Sequence, residues 1–245
     1  MTHGSQTVRA TKAVKVAELV SVFLLASAVI FVGWRIVGAN LLGRQAVVWV
    51  ANVLMLFTIW IGLRVRAQTW EHLGLTLRWR GGGAFLRTLG QSVAVLALAL
   101  AAFVSGSVLM RSVATSTTRA DMSAYNYLEG NLPMLLLALA AVYVVSSFGE
   151  EVLYRGFLIT RLAELSDAGK AAMSGAVIAS AVVFGLAHFD WGIVGVVQTI
   201  FMGFVLGVSY VATKRNLWAL VLAHAYLDTL LLLQMYLGAA GGSAE

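Results

Sequence analysis

The sequence predicts an all-α fold: a polytopic membrane helical bundle of about seven transmembrane helices, six to eight at the limits. Three observations carry this. Of the 245 residues 60% are hydrophobic and only 11% charged, where a soluble domain has about a quarter of its residues charged. The mean hydropathy is +0.87. The apolar residues also gather in runs close to the roughly 20 residues that a helix needs to cross a hydrocarbon core.

The expected spans, in order, are Ala17–Trp34, Ala46–Leu63, Leu86–Met110, Leu132–Ser147 continuing to Leu162, Ala171–His188, Trp191–Val211 and Leu217–Leu237. In the first, "LASA" (Leu25–Ala28) resembles a signal-peptide cleavage site, but the apolar run continues past it, which favours an uncleaved helix. Between the second and third runs, residues 68–85 mix Trp70, Leu73, Leu75, Leu77 and Trp79 with Arg78 and Arg80. That mixture predicts an interfacial segment on the cytoplasmic surface. Gly81–Gly83 reads as a hinge or turn and not as a phosphate loop, because no P-loop lysine follows. Arg111–Asn131 is the most polar outer stretch, and the single proline, Pro133, stands where the fourth helix should start. Gly203 and Gly207, four apart, predict tight helix packing.

The net charge of +6 suits a topological role better than nucleic-acid binding. With the N-terminus cytoplasmic, the inner side receives Arg9, Lys12, Lys15, Arg64, Arg66, Arg78, Arg80, Arg87, Arg161, Lys170, Lys214 and Arg215. The outer side receives Arg35, Arg44, Arg111 and Arg119. This excess of inner basic residues sets the orientation of a multi-pass cell-membrane protein. Cysteine is absent, which removes disulfides, thiolate metal sites and a cysteine nucleophile. The chain divides into a tail (1–16), N-terminal transmembrane helices (17–130), a second membrane core (131–238) and a C-terminal tail (239–245).

One apolar run is interrupted by charge. "SSFGEEVLYRGFL" (Ser146–Leu158) places Glu150, Glu151 and Arg155 where lipid is expected. Charges at that depth are expensive and persist where they are paired or do chemistry. On an α-helix Glu151 and Arg155 share a face and can pair, while Glu150 is turned away by about 100°. Its face carries Ser147 and Tyr154. One carboxylate is therefore left over as a candidate general base; the competing reading is a buried ion network that only orients helices.

Two histidines shift that balance. His3 and His72 fall in a polar tail and in the interfacial segment, where no special role is expected. His188, one turn after Phe184, and His224, one turn before Asp228, stand in apolar runs. Gly185 allows a neighbouring helix to come close. Polar groups on three hydrophobic helices are cheapest if they meet in one cavity, and such convergence is what a catalytic site requires.

Glu150-Glu151-x-x-x-Arg155, Phe184-x-x-x-His188 and His224-x-x-x-Asp228, in this order over about the last 110 residues, resemble the CPBP family of CAAX-processing and bacteriocin-processing intramembrane proteases, also called the Abi or type II CAAX prenyl endopeptidase family. The resemblance implies an endopeptidase core over 131–238. It implies that Glu150 and His188 activate a water, that His224 and Asp228 form an oxyanion site, and that Glu151 and Arg155 support them. Many members carry Asn where this chain has Asp228; Asp228 either donates as the neutral acid or orients His224. A metal-free mechanism with no cofactor is favoured, since His-Glu-x-x-His is absent. The zinc alternative would use His188, His224 and Glu150, and a zinc site needs at least three ligands and an open position. The expected partners are a peptide or lipid-modified protein substrate and the lipid bilayer, with no nucleic acid. The rival classes are a non-catalytic membrane scaffold or bacteriocin-immunity protein and, less well supported, a transporter, for which inverted-repeat symmetry is lacking. The alanine- and arginine-rich composition points to a bacterial source.

Overall fold

In the computed structural model the chain is helical throughout the residues it describes, which are 11–76, 82–113, 119–166 and 169–238. Helices α1 (Lys12–Val37) and α2 (Leu41–Val65) pack as an antiparallel pair. Thr11 and Asn40 cap them by accepting from the backbone N–H of Val14 and Gly43, at 3.4 and 2.8 Å. Such caps satisfy donors that the first helical turn leaves free. The long α3 (Gly82–Val113) packs on α7 (Gly192–Ala212) and α8 (Leu217–Tyr236). Gly82 and Gly83, expected in a turn, form the first turn of α3, while Gly81 lies outside the described residues.

One continuous rod, Leu132–Leu165, carries the charged stretch. It begins as α4 (Leu132–Val142), with Pro133 in the first turn and Asn131 capping Met134 N–H. It becomes π-helical over Tyr143–Leu158 and ends as α5 (Ile159–Leu165). In a π-helix the hydrogen bonds run i→i+5, so each turn is wider than in an α-helix and neighbouring side chains diverge by less than the about 100° assumed from the sequence. The π segment is the most buried part of the rod: Val152, Phe157 and Ile159 just beyond it have no exposure.

Helix α6 (Lys170–Leu186) is shorter than the other apolar helices and packs against α7. A Cβ at Gly203 would come within 2.9 Å of Phe184, and one at Gly207 within 2.9 Å of Val177. The expected close approach is thus built into the α6–α7 contact. Among the described residues six helices are long and apolar enough to cross a membrane, and α6, at 17 residues, is a shorter seventh apolar helix. Large apolar side chains such as Leu24, Ile36, Leu98 and Leu136 project outward from them. In a polytopic protein these are the surfaces that face lipid.

The segment between α2 and α3 departs from a simple surface helix. Trp70–Leu73 forms a short turn, and Leu73 is fully buried. Its carbonyl accepts from the Tyr210 hydroxyl at 3.0 Å, and Gly74, at φ +93°, accepts from Leu217 N–H at 3.2 Å. A side chain on Gly74 would strike the Arg215 carbonyl, so glycine serves both the left-handed backbone and the close approach. Residues 77–81, including Arg78, Trp79 and Arg80, lie outside the described residues. So does His3.

Arg161 corrects the sequence reading. Expected in a cytoplasmic loop, it is fully buried. It donates to Glu18 Oε1 at 3.1 Å and to Gln68 at 3.0 Å, and meets Glu164 at 3.3 Å. Arg66 bridges the same two carboxylates, to Glu18 at 2.9 Å and to Glu164 at 3.0 Å. His72 joins them, with Nε2 2.9 Å from Glu164 Oε1. The sequence reading carries this span to Leu162 and counts Arg161 among the inner-side charges; the rod runs on to Leu165 and holds Arg161 against α1 and the end of α2.

Candidate active site

The π segment, α6 and α8 bring the predicted residues together, each by a different local device. The Glu151–Arg155 pair forms as expected from their spacing, with Arg155 Nη1 donating to Glu151 Oε1 at 2.8 Å. Both side chains are fully buried or nearly so. The same carboxylate oxygen accepts from His224 Nδ1–H at 2.8 Å. One oxygen of Glu151 therefore serves two partners on two helices, and its Oε2 has none. Arg155 also reaches the carbonyl of Gly203 on α7 at 3.5 Å, and its guanidinium stands 4.3 Å from the centroid of Phe184. A cation over an aromatic face is attracted by the ring quadrupole.

On α8, His224 and Asp228 are one turn apart, with Nε2 3.7 Å from Asp228 Oδ1. That is ion-pair range and too long for a direct hydrogen bond. Asp228 Oδ2 accepts from the Ser147 hydroxyl at 2.7 Å, which ties α8 back to the π segment. His224 thus stands between two carboxylates. Because its Nδ1–H is given to Glu151, Nε2 is the ring nitrogen left to face the site.

His188 lies just past the end of α6, where its backbone leaves the helix (φ −100°, ψ 25°). Its Nδ1 is 2.8 Å from the Phe184 carbonyl. A carbonyl only accepts, so Nδ1 carries the proton and Nε2 keeps its lone pair. Trp191 packs edge-on to the imidazole at 4.7 Å, and Phe184 packs on its other side at 4.8 Å. Phe184 is the hub of the arrangement: its ring lies 5.1 Å from Tyr154 and 6.3 Å from His224.

Glu150 Oε2, like Glu151 Oε2, is buried without a hydrogen-bond partner, but Glu151 has its other oxygen held by Arg155 and His224. The charges acting on Glu150 are those of His224, Asp228, Arg155 and Glu151. The division into one paired and one free carboxylate, drawn from an α-helical face, holds although the helix is of the wider kind.

Sequence reasoning did not single out Asn52 of α2, whose amide oxygen lies against Gly149. Nor did it link Ser147 to Asp228, or Trp191 to His188. A polar residue in mid-run was the only available signal for Asn52. Among the described residues no three His, Asp or Glu side chains are grouped so as to hold a metal ion.

Residues 132–230 match the family model of the type II CAAX prenyl endopeptidase Rce1-like proteins. Over this segment the chain is similar to that family. No curated protein and no solved structure matches. The matched segment spans the rod, α6, α7 and α8 as far as Leu230, and so contains Glu150, His188, His224 and Asp228. Helices α1–α3 lie before it. Six apolar helices among the described residues, together with a segment similar to a membrane protease family, support a multi-pass membrane protein.

Proposed function

We propose that the protein is an intramembrane endopeptidase that cleaves prenylated or membrane-associated peptides with a water activated by Glu150 and His188. The observation that supports this most is the free, buried oxygen of Glu150 beside a second carboxylate that is engaged, through its Oε1, by Arg155 and His224. Natural proteins rarely leave such a group unsatisfied without a functional reason.

In this reading a water lies between Glu150 and His188 Nε2. As its oxygen bonds to the scissile carbonyl carbon, its proton passes to Glu150. The carbonyl becomes an oxyanion held by His224 Nε2–H, with Asp228 orienting the imidazole or donating as the neutral acid. Collapse of the intermediate breaks the C–N bond, and Glu150 returns the proton to the leaving amine. Glu151 and Arg155 hold His224 in place from behind. The substrate class follows from the family, and the apolar surroundings suit a lipid-modified C-terminus. A scaffold would have no use for an unpaired carboxylate, which disfavours the non-catalytic alternative.

The deciding experiment is cleavage of an internally quenched farnesylated peptide with a CAAX end by the purified protein and by Glu150→Gln. Loss of about 10³-fold or more in kcat is expected, with thermal unfolding unchanged, since the amide keeps the shape and removes the base. Equal rates from the two proteins would refute the reading.

A further inference from the structure

His188 opens a turn that the core does not hold: no residue of Phe189–Trp191 is buried. The imidazole is tied through Nδ1–H to the Phe184 carbonyl, and a ring held by one bond can still pivot about it. Two rings oppose that pivot, Phe184 at 4.8 Å and Trp191 at 4.7 Å. Phe184 has no exposure and is fixed by the core, whereas Trp191 stands half-buried on the turn and needs support from elsewhere. That support comes from residues 121–130, which precede the segment that matches the family model. Asp121 N–H donates to the Trp191 carbonyl at 3.0 Å. The Tyr125 ring stands edge-on to Trp191, with 6.5 Å between centroids and 74° between planes, a favoured aromatic geometry. Its hydroxyl meets the side chains of Trp191 and Gln45, and lies near enough to the site for the charge of Glu150 to act on it. The short turn that carries it, Ser123–Leu128, is anchored in turn. Leu128 has no exposure and packs with Leu135, Ala138, Leu232 and Met235. Tyr127 donates to Gln45 at 2.8 Å, and Gly130 N–H donates to the Tyr236 carbonyl at 3.0 Å.

We propose that Tyr125 is a positioning residue for His188, acting through Trp191. This rests on the endopeptidase reading and extends it. The Tyr125 ring backs Trp191, Trp191 backs the imidazole, and Nε2 is thereby kept aimed at the water. Small misplacements of a catalytic group are costly in rate, so a ring two contacts away from the chemistry can govern it. Part of the site is then supplied by the chain before residue 132, through a turn braced on α2 by Gln45 and on α8 by Leu232, Met235 and Tyr236.

The test uses the full chain in detergent with the farnesylated CAAX peptide. Tyr125→Leu removes the ring and keeps an apolar side chain. It should lower kcat by about 10-fold with KM within about twofold, the pattern of a misaligned group and not of lost binding. Tyr125→Phe keeps the ring and should recover most of that loss. Trp191→Leu should cost at least as much as Tyr125→Leu. The two together should cost no more than about threefold beyond Trp191→Leu alone, because both act through one contact. Leu63→Ala, a cavity in the buried end of α2 far from the turn, controls for a loosened bundle. Its unfolding temperature should fall while kcat of the folded protein stays within about twofold. Tyr125→Met, nearer in volume, carries the same expectations if the Leu variant folds poorly. Unchanged kcat in Tyr125→Leu and Tyr125→Met, a rise in KM alone, no recovery in Tyr125→Phe, full additivity with Trp191→Leu, or an equal loss of kcat in Leu63→Ala would each overturn the proposal while the endopeptidase reading stood. A wild-type protein that cleaves no better than Glu150→Gln would remove that reading and the Tyr125 proposal with it.

Discussion

Two buried polar clusters, both on the rod, are put together differently. The cluster around Arg161 lies at the rod's C-terminal end, and its two carboxylates are fully engaged. Glu18 meets Arg66 and Arg161, and Glu164 meets Lys15, Arg66, His72 and Arg161. The atom left over in this cluster is a donor, Arg161 Nε, which stands 3.0 Å from Glu18 Oε2 without a hydrogen bond, so all of its acceptors are taken. The cluster around Glu150 leaves three oxygens without a partner: those of Glu150, Glu151 and Asn52. Burial is similar, so burial does not separate them. Completeness does. A saturated network locks helices together, whereas an unsaturated one holds acceptors ready for a molecule that is not part of the chain.

The sharpest way to break this comparison is to delete one group from each cluster. Glu150→Gln should remove activity and spare stability. Arg161→Leu should do the reverse: it leaves Glu18 and Glu164 with less charge compensation at a buried site, a loss of about 3–5 kcal/mol. Unfolding of the purified protein, followed in detergent beside single-turnover cleavage, reads both. If Arg161→Leu were as stable as the parent, saturation would not be what holds that end together.

Glu151→Gln tests the boundary between the two kinds. Glu151 belongs to the Glu150 cluster by position but pairs like a structural residue. Its loss strands Arg155 and frees His224, so stability should fall by about 3 kcal/mol and the remaining folded protein should turn over more slowly. A variant that kept full stability would make Glu151 functional alone.

A smaller and graded effect is expected from pH. Glu150 must be ionised to accept a proton and His224 must carry Nε2–H to donate one. kcat/KM should therefore rise and then fall with pH, giving two macroscopic constants for the coupled site. Dialysis against a strong chelator should leave that profile in place. Loss on chelation and recovery with zinc would instead restore the metal alternative.

The smallest change is Ser147→Ala, which removes one hydrogen bond to Asp228 at 2.7 Å. About 1 kcal/mol is the usual scale, which corresponds to several-fold in kcat if Asp228 orients His224. No change in kcat would remove Asp228 from the oxyanion side of the mechanism.

Hydropathy alone determined the spans, the all-helical class and the membrane setting, because the bilayer requires about 20 apolar residues and an internally bonded backbone from any helix that crosses it. The three motifs marked Glu150, His188 and His224 because charge inside an apolar run is costly enough to stand out in a linear string. The pairing of Glu151 with Arg155 was legible too, as a contact within one helix. What only the tertiary structure decided are the contacts across helices. His224 is held by Glu151 across 73 positions, Asn52 rests against Gly149, and Arg161 is buried against Glu18. No local periodicity encodes these, because each depends on which faces of separate helices meet. The π-helical winding of the rod belongs with them: in the string, Tyr143–Leu158 reads as any apolar helix, and its wider turn appears only in the folded chain.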